Sequence, residues 1–354
     1  MSAAPTDDHA AALPIAAPPT AVVTGAAGWL GQNLVRALVG TRSRVRCLVH
    51  EPEDGPALEL LGTDVEVVVG DLRDPSAADR LFDGVTGATV FHAASVIHPA
   101  SRVRELFDVN VGGTELVLDR ARRSGAGRFL HVSSNSPFGV NARPTDRFTE
   151  SSPPNPYLGY GRSKLEAEGI VQRAHARGDL QTVIVRPPWF YGPHQPARQS
   201  TFFAAVRKGR FPIVGDGRQQ RSMVFTGNLV DALLAAEVAP AAPGQAYWIS
   251  DERPYELREI IATVRDALEA EGLPTSGRGL RLPALAGRVA AGLDAVLQDR
   301  GRYVQPLHVL GELKDTIACD CSKAKRELGW TPATELLGGM RASIRWCLER
   351  GHQL

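Results

Sequence analysis

The sequence predicts an α/β protein: a doubly wound parallel sheet joined to a smaller, discontinuous C-terminal lobe. Three observations carry this expectation. Short, almost wholly apolar runs alternate with helical-looking segments through the first half of the chain, as strands buried on both faces do beneath covering helices. A glycine-rich turn follows the first of these runs. After Arg186 the alternation loosens into turns such as Pro187-Pro188 and Gly215-Asp216-Gly217.

The elements follow in order. Ala21-Val22-Val23-Thr24 is a β-branched first strand ended by glycine. An amphipathic helix is expected from Trp29 to about Val39. Strands are expected at Val45 to Val49, Val65 to Val69 and Ala88 to Phe91. A helical stretch runs from about Val103 to Arg123, with strands after it at Phe129 to Val132 and Thr182 to Val185. Residues 20–186 then form the sheet domain, and 187–354 mainly the second lobe, with some segments returning to the sheet. Residues 1–19 are rich in Ala and Pro, lack the basic start and apolar centre of a secretory signal, and read as a flexible tail. Leu282, Leu285, Val289, Leu293 and Val296 recur at helical spacing. They predict a helix packed on its own lobe, with a lid or membrane-surface helix as the other reading. No apolar run is long enough to span a bilayer.

A formal net charge of +1 gives no electrostatic case for a nucleic-acid partner. The four cysteines, Cys47, Cys319, Cys321 and Cys347, read as reduced thiols of a cytoplasmic protein. Cys319-x-Cys321 is too tightly spaced for a metal knuckle and no histidine pair follows it, so no metal site is expected.

The first strand runs into Thr24-Gly25-Ala26-Ala27-Gly28-Trp29-Leu30-Gly31. Glycines at these places let the backbone turn tightly, approach a pyrophosphate and seat the next helix against the strand. Free N–H groups at the helix start then face the phosphates. Gly25, Ala27, Gly28, Trp29 and Leu30 are therefore expected to line a dinucleotide in a Rossmann-type domain. At the end of the second strand, Arg46-Cys47-Leu48-Val49-His50-Glu51 offers no acid within the strand for the ribose hydroxyls of NAD. Arg46 and His50 favour a 2′-phosphate, hence NADP; Glu51 turned inward would serve NAD.

Tyr160-Gly161-Arg162-Ser163-Lys164 carries the sharpest chemical signal. On a helix, Tyr160 and Lys164 share one face. An ammonium near a phenol favours the phenolate and lowers a pKa that is normally about 10. A hydroxyl from His131-Val132-Ser133-Ser134, at the carboxyl end of the fifth strand, stands at the edge where parallel-sheet sites form.

Taken in order, the turn from Thr24 to Gly31, Asp71-Leu72, Asn110, Ser133-Ser134, Tyr160 with Lys164, and Arg186-Pro187 resemble the extended short-chain dehydrogenases/reductases, also called the NAD-dependent epimerase/dehydratase family. That family includes 3β-hydroxysteroid-dehydrogenase-like and dihydroflavonol-reductase-like members. The resemblance runs from Val22 to about Trp346. It implies that Tyr160 is the proton donor or acceptor, that Lys164 tunes it and binds the nicotinamide ribose, and that Ser134 is the catalytic serine. It also implies that Asp71 meets the adenine amine with Leu72 beside the ring, and that Ala93, Ala94 and Pro187 lie along the cofactor. Asn110 is implied to be structural or part of a proton relay. Ser134 and Asn135 are implied to face the substrate, and Arg221 to meet a diphosphate. A homodimer through a four-helix contact that includes the Tyr160 helix is implied as well.

The shared chemistry is hydride transfer at a secondary alcohol or its ketone. Ser134-Asn135-Ser136 stands where sugar dehydratases of the family carry Thr-Asp-Glu, which argues against dehydration. Arg221 leans the reading to an epimerase or oxidoreductase on a nucleotide-linked sugar. The stretches from Val45 to Pro52 and Tyr247 to Asp251 look more like steroid- and flavonol-type reductases, and Trp189, Phe190 and Tyr191 offer aromatic walls for a hydrophobic ketone. A dinucleotide-binding sensor without chemistry is the alternative from another class; intact Tyr160, Lys164 and Ser134 count against it.

Overall fold

The apolar runs of the first half become strands β1 (Thr20–Thr24), β2 (Arg44–Val49), β3 (Val65–Val69), β4 (Thr89–His92), β5 (Arg128–Val132) and β6 (Gln181–Arg186). Between them lie helices α1 (Trp29–Leu38), α2 (Gly55–Glu59), α3 (Pro75–Phe82), α4 (Arg104–Phe107), α5 (Thr114–Arg123) and α6 (Leu158–Ala176). The stretch read as one helix from Val103 to Arg123 is interrupted by a π-helical segment, Asp108–Gly113, which widens the turn at Asn110. The structure is a computed structural model describing residues 16–277 and 279–354. Residues 1–15 of the expected tail lie outside the described residues, whereas the Pro19 carbonyl already accepts from the Ser43 and Arg44 amides.

The later chain adds strands β7 (Trp189–Tyr191), β8 (Pro212–Val214), β9 (Gln220–Arg221), β10 (Met223–Phe225), β11 (Ala246–Trp248), β12 (Tyr255–Glu256) and β13 (Leu280–Leu282). Its helices are α7 (Ala197–Arg207), α8 (Thr226–Val238), α9 (Leu257–Ala270), α10 (Ala284–Asp299), α11 (Gln305–Glu312), α12 (Ser322–Leu328) and α13 (Leu336–Glu349).

Seven strands form one sheet in the order β11-β6-β5-β4-β1-β2-β3, and each pairing is parallel. The winding direction reverses between β1 and β4, which opens a crevice at the carboxyl ends of those two strands. One face of the sheet packs on α1, α8 and α12 through Leu34, Leu38, Leu233 and Trp330. The other packs on α3, α5 and α6 through Leu81, Val117 and Val171. Segments after Arg186 thus complete the sheet (β11) and cover it (α8, α12). A third core, built on Phe203, Ile260, Val264, Met340 and Ile344, holds α7, α9 and α13 together in the second lobe.

Candidate active site

The glycine turn sits at the reversal point. Gly25 has φ +69°, and a Cβ there would lie 2.7 Å from the Ala94 amide nitrogen. At Gly31 a Cβ would fall 2.0 Å from the Gly25 carbonyl oxygen, so only glycine lets α1 seat this close to the strand. Gly28 caps α1 in an extended conformation, leaving the first N–H groups of the helix free of intrahelical partners and aimed at the crevice. This cradle, which a Cβ would fill, fits a pyrophosphate. The side chains of Trp29 and Leu30 do not join it. Leu30 is buried in the core beneath the sheet, and the Trp29 indole N–H donates to the carbonyls of Gly192 and Pro193 (3.1 and 3.0 Å). Only their backbones remain at the helix start.

Across the crevice the expectations divide. Arg46 turns away from the carboxyl edge: its Nη1 donates to the Asp83 carbonyl at 2.5 Å and its Nε lies 3.3 Å from Glu66. It is corrected from the candidate phosphate ligands. His50 stays at the edge, exposed, with Nε2 at 3.4 Å from Glu51. Asp71 accepts from the backbone and side chain of Arg73 (both 2.8 Å), which holds its carboxyl down at about 2 despite burial. Arg73, which the sequence reading passed over, thereby joins His50 and Asp71. Leu72 packs against Gly113, where a Cβ would meet it at 2.5 Å. Ala93 and Ala94 donate to the Thr24 carbonyl and Oγ1 (both 3.3 Å), lining the crevice with small residues. Pro187 is buried directly after β6.

Tyr160 and Lys164 lie on α6 beside the ends of β4 and β5, and both are buried. The Tyr160 hydroxyl is near enough to Ser134 and Ser95 for both to favour its phenolate. Ser134 is thus the serine brought to Tyr160. Its Oγ also contacts Asn135 Oδ1 at 3.4 Å and accepts from the Ser136 amide at 3.2 Å. Ser95 belongs to no motif, and nothing in the sequence singled it out. The expected lowering of the phenol by Lys164 is not what governs it: burial pushes Tyr160 up to about 12, against the opposing pull of Ser134 and Ser95. The Lys164 ammonium instead donates to the Val132 carbonyl at 2.8 Å. Burial draws it down to about 8, partly offset by Glu168.

Around Tyr160 the two lobes together supply groups that sequence spacing could not assemble. The rings of Tyr157, Tyr303, His98 and His308 contact one another at 5.3–6.5 Å between centroids. Arg198 is close enough to act electrostatically on Tyr160, Tyr303 and His98. Arg221 is buried, donates to the Glu312 carbonyl, and leaves Nε without a partner among the described residues. The expected aromatic walls prove to be packing: Tyr191 is core and donates to Asp251 at 2.8 Å, Phe190 lies on Trp29, and Trp189 lies on Phe202.

A doubly wound sheet with a glycine cradle at its switch point defines a Rossmann-type dinucleotide-binding protein. Within that class the chain belongs to the NAD dependent epimerase/dehydratase family, whose model matches residues 21–250. It is therefore an enzyme of the extended short-chain dehydrogenase/reductase type. It is 33% identical to a 4-hydroxy-2-methyl-3-oxo-4-farnesyl-3,4-dihydroquinoline-1-oxide ketoreductase of Stigmatella aurantiaca, over 87% of this chain and 90% of that one. It is 31% identical to sterol demethylase protein B of Methylococcus capsulatus, over 94% and 99% of the two chains. In fold it is similar to a dTDP-glucose 4,6-dehydratase of Streptomyces venezuelae, with a TM-score of 0.74, 23% identity, and coverage of 94% and 98%.

Proposed function

We propose that the chain interconverts a secondary alcohol and its ketone on a large, mostly apolar molecule, using NAD(P). The observation that carries this reading is the convergence of Tyr160, Ser134 and Ser95 beside the glycine crevice. A nicotinamide, when bound, supplies or accepts the hydride. Tyr160 gives its proton to the carbonyl oxygen as that oxygen gains charge. A phenol held near 12 keeps its proton through the physiological range, which suits it as an acid in the reducing direction. Ser134 donates to the same oxygen. Lys164 keeps positive charge at this end of the crevice and reaches the nicotinamide ribose. Asp71 and Leu72 receive the adenine, and Ala93, Ala94 and Pro187 flank the cofactor.

The sequence relatives favour the apolar substrate, since their names specify a farnesylated quinoline oxide and a sterol. The site agrees with them. Arg221 is occupied by the Glu312 carbonyl, with Glu312 and Asp315 near it, surroundings that disfavour a diphosphate. Epimerisation of a nucleotide sugar is the second reading, favoured by the unpartnered Arg221 Nε, which a phosphate oxygen would satisfy. NADP is favoured over NAD, because the Arg73 guanidinium, paired with Asp71, and the exposed His50 ring stand at the β2–β3 edge where a 2′-phosphate would fall. Pairing into a homodimer through a four-helix contact that includes α6 is carried over from the family resemblance.

A panel of hydroxysteroids and prenylated or aromatic ketones, set beside UDP- and dTDP-sugars and followed at the nicotinamide absorbance, tests the proposal. Turnover of the apolar compounds is expected. Conversion of the sugars alone would overturn the substrate reading.

A further inference from the structure

Helix α10 is turned inside out. Its buried positions are Gly287, Ala290, Asp294 and Gln298. Its apolar positions face solvent: Leu285 is 65% exposed, Val289 52%, Leu293 51% and Val296 49%. A water-facing helix carries the opposite pattern. The expectation that these residues pack on their own lobe is therefore corrected.

The inner polar face has a task. Asp294 accepts from Gln298 at 3.0 Å and pairs with His308 at 2.8 Å, while Gln298 Oε1 accepts from the Gly159 amide at 3.2 Å. Gly159 immediately precedes Tyr160, so the polar side of α10 covers the site and the apolar side faces away from it. Helix α11 extends that outer face with Val309, Val304 lies exposed just before it, and Pro283, Leu307 and Leu310 line the groove between the two helices.

Arginines bracket the apolar stripe along the chain: Arg281 stands before it, Arg288 within it, and Arg300 and Arg302 just after it. Arg281, Arg288, Arg300 and Arg302 are exposed, and among the described residues none has a carboxylate within ion-pair distance. Asp299 is the one exposed acid of α10. Apolar side chains flanked by unpaired cations match a lipid surface that offers acyl chains below and phosphates above. A second copy of the chain matches poorly, because a two-fold contact across the stripe would gather the arginines of both copies at one interface with Asp299 as the one exposed acid of α10 to offset them.

We propose that the outer face of α10 and α11 docks on an anionic membrane surface, lying in its interface without crossing it. No helix among the described residues is long and apolar enough to cross. Docking in this pose sets the cover of the active site at the lipid boundary, where an apolar substrate resides. The proposal does not depend on the substrate reading, and its test uses no substrate.

The test is co-sedimentation of the full chain with vesicles of phosphatidylcholine alone and with about 30 mol% phosphatidylglycerol, at low and high salt. The expected result is partition onto the anionic vesicles, weakened by salt. Leu285→Glu with Leu293→Glu should reduce it by about tenfold or more, with melting temperature and dinucleotide affinity unchanged. Arg288→Glu with Arg300→Glu should remove the preference for anionic lipid. Failure to partition, or binding by the Leu285→Glu/Leu293→Glu variant equal to wild type, overturns the proposal. So does a light-scattering mass that the same double substitution halves, which would assign the face to a second copy.

Discussion

Asn110 Nδ2 donates to Ser163 Oγ at 3.0 Å, and this bond ties the π-helical segment to the helix that bears Tyr160. The same amide accepts from Ser95 Oγ (3.1 Å) and the Val96 amide (2.8 Å) and donates to the Val96 carbonyl (2.9 Å). Ser95 acts on the Tyr160 phenol, and Ser163 lies on the same helix, so Asn110 holds two groups that surround the phenol without touching it. Every polar atom of the amide is taken up structurally, which assigns it positioning and not proton transfer. Asn110→Leu leaves these buried partners unpaired and should cost about 2–3 kcal/mol in urea unfolding. Turnover should fall further than dinucleotide affinity does.

Glu168 and Arg186 form a buried bidentate pair at 3.0 and 2.7 Å, and the guanidinium lies 4.5 Å from the centre of the Phe138 ring. Removing one partner strands a charge in the interior. Glu168→Ala should destabilise by about 3–5 kcal/mol, measured by denaturant midpoint, and Glu168→Gln by less. Glu168 also supports the Lys164 charge, so the alkaline fall in activity expected as Lys164 titrates near 8 should move to lower pH in Glu168→Gln.

Buried histidines set the acid limit of the fold. His92 is satisfied as a neutral ring: Thr114 spends its proton on the Asn110 carbonyl at 2.6 Å, so His92 Nε2 donates to Thr114 (2.9 Å) and Nδ1 accepts from Thr24 (2.8 Å). Burial lowers it to about 3, and burial followed by Lys164 and His92 lowers His131, which among the described residues has no partner for either ring nitrogen. A folded value below the unfolded one means that the unfolded chain binds more protons. The stability present above about 6.5 is lost as pH falls, by about 2 kcal/mol per ring at pH 5. His308 works in the opposite sense: burial lowers it, but Asp294 and Glu312 outweigh burial and raise it, so its contribution is lost as pH rises. His131→Leu should unfold less readily than wild type at pH 5 and no more readily at pH 8, as measured by urea midpoints.

Cofactor choice rests on the β2–β3 edge. Arg73→Glu should weaken NADPH binding by about tenfold and NADH binding far less, measured by fluorescence titration. Equal weakening of both would place Arg73 outside the 2′-phosphate site.

The sheet was legible because strands buried on two faces must be apolar along their length, and Val22, Val90 and Val183 announce it. The glycine turn and the Tyr160–Lys164 pair were legible because each is one short segment. Arg46 misled because its direction depends on strand parity: it shares a face with Val22 and Val68, beneath α3, and not with the crevice. Ser95 and the His98–Tyr303–His308 group belong to no local pattern, since folding alone joins residues roughly 200 positions apart. In α10 the periodicity correctly gave a helix. A period does not say which face turns inward, and there the buried face is the polar one.

The central claim is that Tyr160 moves the proton beside a bound dinucleotide. It is tested most directly by comparing Tyr160→Phe with wild type, in turnover of the fastest panel substrate and in NAD(P)H affinity. The account predicts a fall in turnover of about 100-fold or more, with affinity nearly unchanged. Undiminished turnover by Tyr160→Phe, or a wild-type chain that binds neither nucleotide, would contradict it.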